Sequence, residues 1–182
     1  SSHGRRLAIT AYAEWVLGAS RSRSAPFVIT EIDPGTHAMF ARNAWNGEFA
    51  QRIAFADMAG RQTSWTGDRR EFLGRNASID HPASLVRGDE LSGRTGAGLD
   101  PCAVLQTSVE LEPGQQVELL FLLGEGADRE EAQSLVKKYR ALDCNAAFGE
   151  VLDHWNQVLE TIQVETPDSA MNLLLNRWLL YQ

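Results

Sequence analysis

The sequence predicts a mainly β protein, an antiparallel β-sandwich followed by helices. Three observations predict it. Apolar and polar residues alternate over long stretches of the first two thirds, Pro-Gly turns separate short strand candidates, and the last third changes to helical periodicity. The chain has 182 residues, of which 43% are hydrophobic and 23% charged. That length and composition are typical of a globular protein that builds its core without disulfides or metal.

The first strand candidate is the alternating segment 5–18. Its odd positions are apolar and its even positions more polar, so we expect one buried face. Residues 26–32 and 38–42 form two short runs joined by Asp33-Pro34-Gly35-Thr36. Proline presets φ and glycine tolerates positive φ, which makes this a turn sequence. The two runs are therefore predicted to form a hairpin.

Alternation returns at residues 49–57 and ends at Met58-Ala59-Gly60. Residues 102–111 and 117–123 are further strand candidates, separated by a second Pro-Gly turn. Between these groups, residues 66–101 are rich in glycine and arginine and lack sustained periodicity. We expect this stretch to be mostly loop, and loops on a rigid scaffold often carry binding residues.

Helical patterns begin near Asp128. Asp128 and Glu131 have the spacing of a capping box, and apolar residues then recur at helical intervals to Leu142. A second amphipathic helix follows, with an apolar stripe from Phe148 to Ile162 that we interpret as a packing face. These two segments predict a helical region after the sandwich.

A third helix is predicted to start at Thr166, with Pro167 in its first turn. Its apolar residues cover almost the whole circumference, a pattern typical of a helix buried on all sides. The sequence stops within that pattern, at Gln182. We therefore expect the natural protein to continue beyond this residue.

Charge and composition argue against several function classes. The chain has 17 Lys and Arg against 24 Asp and Glu, a formal charge of −7, which argues against nucleic acid as a partner. No run approaches the roughly 20 apolar residues that cross a bilayer. Cys102 and Cys144 lack ligand spacing and are expected to be reduced, partly buried thiols. No metal site is predicted, because the four histidines are scattered singly.

The most suggestive binding segment is residues 67–75. Arginines beside an aromatic ring can hydrogen-bond and stack on a sugar or hold a phosphate. The candidate carbohydrate-binding residues are Asp68, Arg69, Arg70 and Arg75. The alternative is a salt-bridged turn in which Asp68 and Glu71 pair with Arg70 and Arg75.

Other candidates have structural explanations. Asp57, Asp68 and Asp100 are carboxylates for which a turn or capping role is favoured over acid–base catalysis. Trp45 and Trp65 are possible sugar platforms, although a tryptophan in a sandwich more often belongs to the core. We therefore assign no catalytic residue.

Six ordered segments, taken together, resemble one known family. They are residues 6–18, 41–46, 67–75, 96–106, 166–168 and 175–182. The chain resembles the N-terminal part of the inverting β-glycoside phosphorylases of glycoside hydrolase family 94, such as cellobiose and chitobiose phosphorylases. Its strongest resemblance is to the phosphorylase-like module of cyclic β-1,2-glucan synthases.

The resemblance implies a domain organisation and a mechanism. It implies a galactose-mutarotase-like supersandwich at residues 5–125, a helical linker at 126–165, and the first helix of an (α/α)6 barrel at 166–182. In this family an aspartate of the barrel protonates the glycosidic oxygen while inorganic phosphate, the co-substrate, attacks the anomeric carbon. The chain itself is then expected to lack the catalytic residues and to need no other cofactor.

The function implied is that of a non-catalytic scaffold and subunit contact in an enzyme that phosphorolyses β-glucosidic bonds. Its expected partners are the β-glucan substrate, the barrel domain and a second copy in a homodimer. Its expected location is the cytoplasm, as the soluble part of an inner-membrane protein. The alternative is a stand-alone carbohydrate-binding module, which calorimetric titration with β-1,2-gluco-oligosaccharides would distinguish from a scaffold.

Overall fold

A computed structural model describes residues 3–76 and 78–181 of the chain. The chain divides into two compact units, the first ending at Arg140 and the second beginning at Ala141. Each unit is described by itself below. The three domain ranges expected from the sequence stay a prediction.

Two antiparallel sheets form the first unit, which confirms the predicted β-sandwich class. The strands in the described residues are β1 (Arg5–Glu14), β2 (Val28–Ile32), β3 (Met39–Asn43), β4 (Ile53–Asp57), β5 (Ser64–Asp68), β6 (Pro101–Leu111) and β7 (Leu122–Gly126). One sheet has the order β1-β6-β5 and the other has the order β2-β3-β4-β7.

The predicted hairpin is confirmed. β2 and β3 pair antiparallel, with Ile32 opposite Met39. Asp33 N–H donates to Ala38 O at 2.9 Å, and the Asp33 carboxylate accepts from Thr36 N–H at 2.9 Å. The turn is thus closed by backbone pairing and by the Asp33 side chain, which accepts a hydrogen bond from the residue three positions ahead.

Two strand predictions were wrong in detail. Phe49 lies outside β4 and is 46% exposed, and all five residues of β4 are buried instead of alternating. The strand expected over 117–123 begins only at Leu122. Its pairing was not predicted: β6 pairs with β1 and β5, whereas β7 pairs with β4 in the other sheet.

The predicted loop region contains short regular elements. β5 enters it, and two helices, α2 (Arg69–Leu73) and α3 (Ala83–Arg87), follow. A four-residue helix, α1 (Arg21–Ser24), lies earlier, between β1 and β2. The other described residues of 66–100 are loop and turn, as predicted from the glycine content.

Three apolar clusters explain why several strands are buried on both faces. The central cluster joins the two sheets and includes Trp15, Val28, Met39, Ala41, Ala54, Ala56, Met58, Ala103 and Leu105. On the outer face of the four-stranded sheet, Phe40 and Phe55 pack with Ala132 and Val136. On the outer face of the other sheet, Phe72 and Leu73 pack with Cys102 and Val104. The order is thus helix, sheet, sheet, helix.

The helix over the four-stranded sheet is α4 (Arg129–Arg140). Its predicted capping box is largely confirmed, since Glu131 N–H donates to Asp128 Oδ1 at 2.9 Å. The Glu131 carboxylate reaches back, but it accepts from Ala127 N–H at 2.5 Å instead of from the Asp128 amide.

The second unit contains α5 (Cys144–Glu160), α6 (Ser169–Asn176) and a 3-10 turn at Trp178–Tyr181. The predicted cap at Thr166 was wrong: Asp168 is the N-cap, and its carboxylate accepts from the Ala170 and Met171 amides. The Thr166 hydroxyl is engaged elsewhere, because it accepts a hydrogen bond from the Asp168 amide and donates one to Asn172 Oδ1. Most of the apolar stripe of α5 is exposed in this unit, Leu159 being buried.

Candidate functional site

Asp68, the first predicted site residue, is built into the fold. It ends β5 and serves as the N-cap of α2, its Oδ1 accepting from Arg70 N–H at 3.0 Å. Its Oδ2 accepts from Arg94 Nη1 at 3.3 Å. The residue is only 7% exposed. The structure therefore gives Asp68 a capping role, as favoured from the sequence.

Arg69 belongs to a charged cluster beside α2, at the point where β1 ends and β6 begins. Its Nε donates to Glu14 Oε1 at 2.8 Å, and its Nη1 lies 3.7 Å from Asp100 Oδ2. Arg21 of α1 contacts both carboxylates. Tyr12 Oη completes the cluster by donating to Glu14 Oε1 at 2.6 Å. Two arginines and two carboxylates thus neutralise one another.

Mutual contacts shift the pKa values within this cluster. The hydrogen bond from Tyr12, followed by the contacts with Arg69 and Arg21, outweighs burial and lowers the pKa of Glu14. Burial and the hydrogen bond to Glu14 raise the pKa of Tyr12. The contact with Glu14 raises the pKa of Arg69. All three shifts hold the groups in their ordinary ionisation states at neutral pH, which is typical of a structural ion cluster and not of an acid–base catalyst.

Arg70 and Arg75 differ from the first two residues because both are exposed. Among the described residues, neither guanidinium group takes part in a hydrogen bond or ion pair. The alternative pairing expected from the sequence was therefore wrong. Glu71 instead accepts from Thr66 Oγ1 at 2.7 Å and from Ser92 N–H at 2.7 Å. The two arginines remain available to a ligand or a partner.

Two buried aspartates have arginine partners that the sequence did not predict. The Asp57 side chain is fully buried, and its two oxygens accept from Arg140 Nη2 and Nε at 2.7 and 2.8 Å. The Asp33 side chain, also fully buried, accepts from Arg129 Nη1 at 2.7 Å and from Gln133 Nε2. These bonds attach both ends of α4 to strand ends of the four-stranded sheet.

The two tryptophans proposed as sugar platforms have different environments. Trp65 packs against the central cluster, and its Nε1 donates to Gly93 O at 3.2 Å. Trp45 is 68% exposed and stacks on Phe27, with ring centroids 4.8 Å apart and planes inclined by 20°. The core interpretation thus holds for Trp65 and fails for Trp45.

Cysteine and metal chemistry find little support in the described part of the chain. Cys102 is buried, and burial raises the pKa of its thiol, whereas Cys144 is exposed. Within residues 3–76 and 78–181, no group of three or more His, Cys, Asp or Glu is placed to hold a metal ion. Over the same residues, none of the helices combines the length and the apolar character that crossing a membrane requires.

Comparison with known proteins decides the family. Residues 1–142 match the family described as glycosyl hydrolase 94, supersandwich domain. The chain belongs to this family. The two antiparallel sheets described above are those of its supersandwich domain, and the resemblance seen in the sequence is confirmed.

Several known proteins are similar to the chain over different shares of its length. The cyclic β-(1,2)-glucan synthase NdvB of Rhizobium meliloti is 37% identical over the whole chain, which spans 6% of that protein. A 3-O-β-D-glucopyranosyl-β-D-glucuronide phosphorylase of Paenibacillus borealis is 30% identical over 65% of the chain and 15% of its own length. An N,N'-diacetylchitobiose phosphorylase of Vibrio furnissii is 29% identical over a similar share. The chain thus spans a small part of the relatives it matches.

Proposed function

We propose that the chain is a non-catalytic N-terminal domain of an enzyme that phosphorolyses β-glucosidic bonds, with inorganic phosphate as co-substrate. In this proposal it acts in cyclic β-1,2-glucan synthesis or in control of the glucan chain length. The family match and the similarity to a glucan synthase and to phosphorylases support the proposal. The domain serves there as a scaffold and as a contact between the subunits of a cytoplasmic homodimer.

The main support for a non-catalytic role is that the candidate carboxylates already bind other groups of the domain. Asp68 caps a helix, Asp100 contacts Arg21 and Arg69, and Asp57 is held by Arg140. A general acid must reach the glycosidic oxygen and donate a proton to it. Carboxylates held by cationic or backbone donors inside the fold are poorly suited to that task. Release of glucose 1-phosphate from a β-glucan by the isolated chain would contradict the proposal.

The four candidate binding residues of segment 67–75 differ in their exposure and contacts. Asp68 and Arg69 bind other parts of the domain, so their loss would disturb the fold itself. Arg70 and Arg75 project from the same segment, are exposed and carry uncompensated charge. We assign to these two arginines the contact with the glucan, the phosphate or the neighbouring subunit.

The double variant R70A/R75A in the complete enzyme tests this assignment. We expect kcat/KM to fall about tenfold or more, because charge-assisted contacts to substrate contribute at least about 1.4 kcal/mol. If the arginines serve the subunit contact, we expect the dimer to dissociate in sedimentation experiments. Arg61→Ala, which removes an exposed arginine from another loop, is the matched control. Unchanged kinetics together with an unchanged oligomer would leave the segment a purely structural role.

A further inference from the structure

An exposed aromatic pair lies on the sandwich unit and is not explained by the packing of its core. Phe27 precedes β2, and Trp45 follows β3. Their rings stack, yet Trp45 remains 68% exposed. Because Phe27 covers one face of the indole, this exposure must come largely from the opposite face. Trp45 therefore presents a flat apolar surface to solvent.

A buried amide holds Trp45 in this position. Asn43, which is 8% exposed, accepts from Trp45 N–H at 3.1 Å through Oδ1. Its Nδ2 donates to Leu17 O at 2.7 Å. The Asn46 amide then closes the turn on Asn43 O at 3.3 Å. Since the turn is fixed before any ligand arrives, binding at Trp45 loses little conformational entropy.

A cleft of about 760 Å³ lies beside the same turn, and Trp45 is not among the residues that line it. Its wall includes the amide side chains of Asn43 and Asn46 and the half-exposed ring of Phe49. Arg52 and Glu125 also line it and are joined by an ion pair of 2.9 Å. The volume lies in the range of small-molecule sites, which combine aromatic walls with a few convergent polar groups.

We propose that this cleft binds a β-linked gluco-oligosaccharide that extends across the shared turn onto Trp45. A glucopyranose ring has an apolar C–H face, which suits the open face of an indole, and a rim of hydroxyl groups, which suits amide, guanidinium and carboxylate groups. An apolar protein partner fits less well, because it would desolvate Asn46, Arg52 and Glu125 without giving them hydrogen bonds. The choice of glucose as the sugar rests on the proposed function. The site adds sugar binding to the scaffold role, so titration of the chain alone would no longer separate a scaffold from a binding module.

Calorimetric titration of the 182-residue chain with a linear β-1,2-gluco-oligosaccharide tests the site. Binding is expected for the unsubstituted chain, with at least a tenfold weaker association constant for Trp45→Ala and a smaller loss for Arg52→Ala. Trp45→Phe should retain part of the affinity, since it keeps an aromatic face. Trp178→Ala is the matched control, because Trp178 is 64% exposed but belongs to the second unit. Circular dichroism of each variant checks that the fold is retained.

The proposal is overturned if the unsubstituted chain binds neither the β-1,2-linked sugar nor cello-oligosaccharides. It is also overturned if Trp45→Ala binds as tightly as the unsubstituted chain. A Trp45→Ala variant with altered sedimentation and unaltered sugar affinity would also overturn it, by assigning the surface to a protein contact. Titration with cello-oligosaccharides separates this proposal from the previous one. If the chain binds cello-oligosaccharides instead of the β-1,2-linked sugar, and Trp45→Ala loses this binding, the site is supported and the β-1,2-glucan assignment is contradicted. Failure of the site leaves the kinetic test of Arg70 and Arg75 unaffected.

Discussion

The buried carboxylates of the first unit join segments that are far apart in the sequence. Asp33 accepts two hydrogen bonds from Thr36, through its amide and its hydroxyl, and further bonds from Arg129 and Gln133. Burial alone would raise the pKa of Asp33, but the donors Gln133, Thr36 and Arg129 outweigh it and lower the pKa. Asp33 is therefore expected to stabilise the fold in its ionised form.

Asp33→Asn should lower the free energy of unfolding by about 2 kcal/mol at neutral pH, because it removes charge-assisted hydrogen bonds from a fully buried position. A lowered folded pKa gives stabilisation that is complete above the ordinary carboxyl pKa and is lost as the pH falls through the lowered one. The difference between the two proteins should therefore shrink in acid. Urea unfolding at pH 7 and near pH 3 measures this, and a difference independent of pH would contradict it.

Residue roles were only partly predictable from the sequence. The turn at residues 33–36 could be recognised because its chemistry is local. The partner of Asp33 could not, since Arg129 lies 96 positions away and spacing carries no information about that contact. For the same reason the sequence could not show that Arg69, a candidate for carbohydrate binding, contacts Glu14, which lies 55 positions away. Exposed Trp45 and half-buried Trp65 likewise differ only in their tertiary surroundings.

The same limit applies to whole elements. The segment at β1 forms the predicted strand, but the strand ends at Glu14 and its burial does not alternate, because Ile9 and Ala11 pack against the central cluster while Tyr12 packs with Phe72 on the other side. Alternation failed at β4, where Ile53 and Phe55 pack under α4 while Ala54 and Ala56 face the other sheet. A strand covered on both faces loses its period of two. Strand pairing around the second Pro-Gly turn could not be predicted, since a turn sequence does not fix which sheet the next strand joins.

The close approach of β7 and α4 allows the packing of these two elements to be tested. A Cβ atom added to Gly126 would lie 2.5 Å from the backbone nitrogen of Ala132 and 3.0 Å from its Cα. Gly126→Ala should therefore destabilise the first unit by about 2 kcal/mol, because backbone atoms cannot move aside as a side chain can. Thermal unfolding measures the effect.

Gly47→Ala provides the control for Gly126→Ala, because no atom lies within 4 Å of its added Cβ. Its effect should stay within about 0.5 kcal/mol. Equal unfolding temperatures for the two variants would show that α4 does not pack on β7 as described.

At the scale of the whole molecule, the family match and the first compact unit end at nearly the same residue. The supersandwich match extends to residue 142, and the first compact unit ends at Arg140. α4 belongs to that unit through Val136 and its two anchoring arginines. The helix expected to begin a linker is thus also part of the sandwich core.

A chain shortened to residues 1–140 should fold by itself, because its three apolar clusters lie entirely within that range. We expect it to show one cooperative thermal transition and the near-ultraviolet circular dichroism of a packed sandwich. A chain cut before α4, at residue 127, should lose that transition because Phe40 and Phe55 would be uncovered. Cooperative unfolding of the shorter chain would contradict the assignment of α4 to the core.

The two cysteines described above divide between the units and also differ in chemical access. Cys102 is sealed beneath α2, with a thiol whose raised pKa disfavours the reactive thiolate, whereas Cys144 begins α5 and is open to solvent. A maleimide reagent will therefore attach at Cys144 and spare the sandwich. The natural sequence already provides a selective handle on the second unit, so a fluorescent or paramagnetic probe can follow its motion without any engineered substitution.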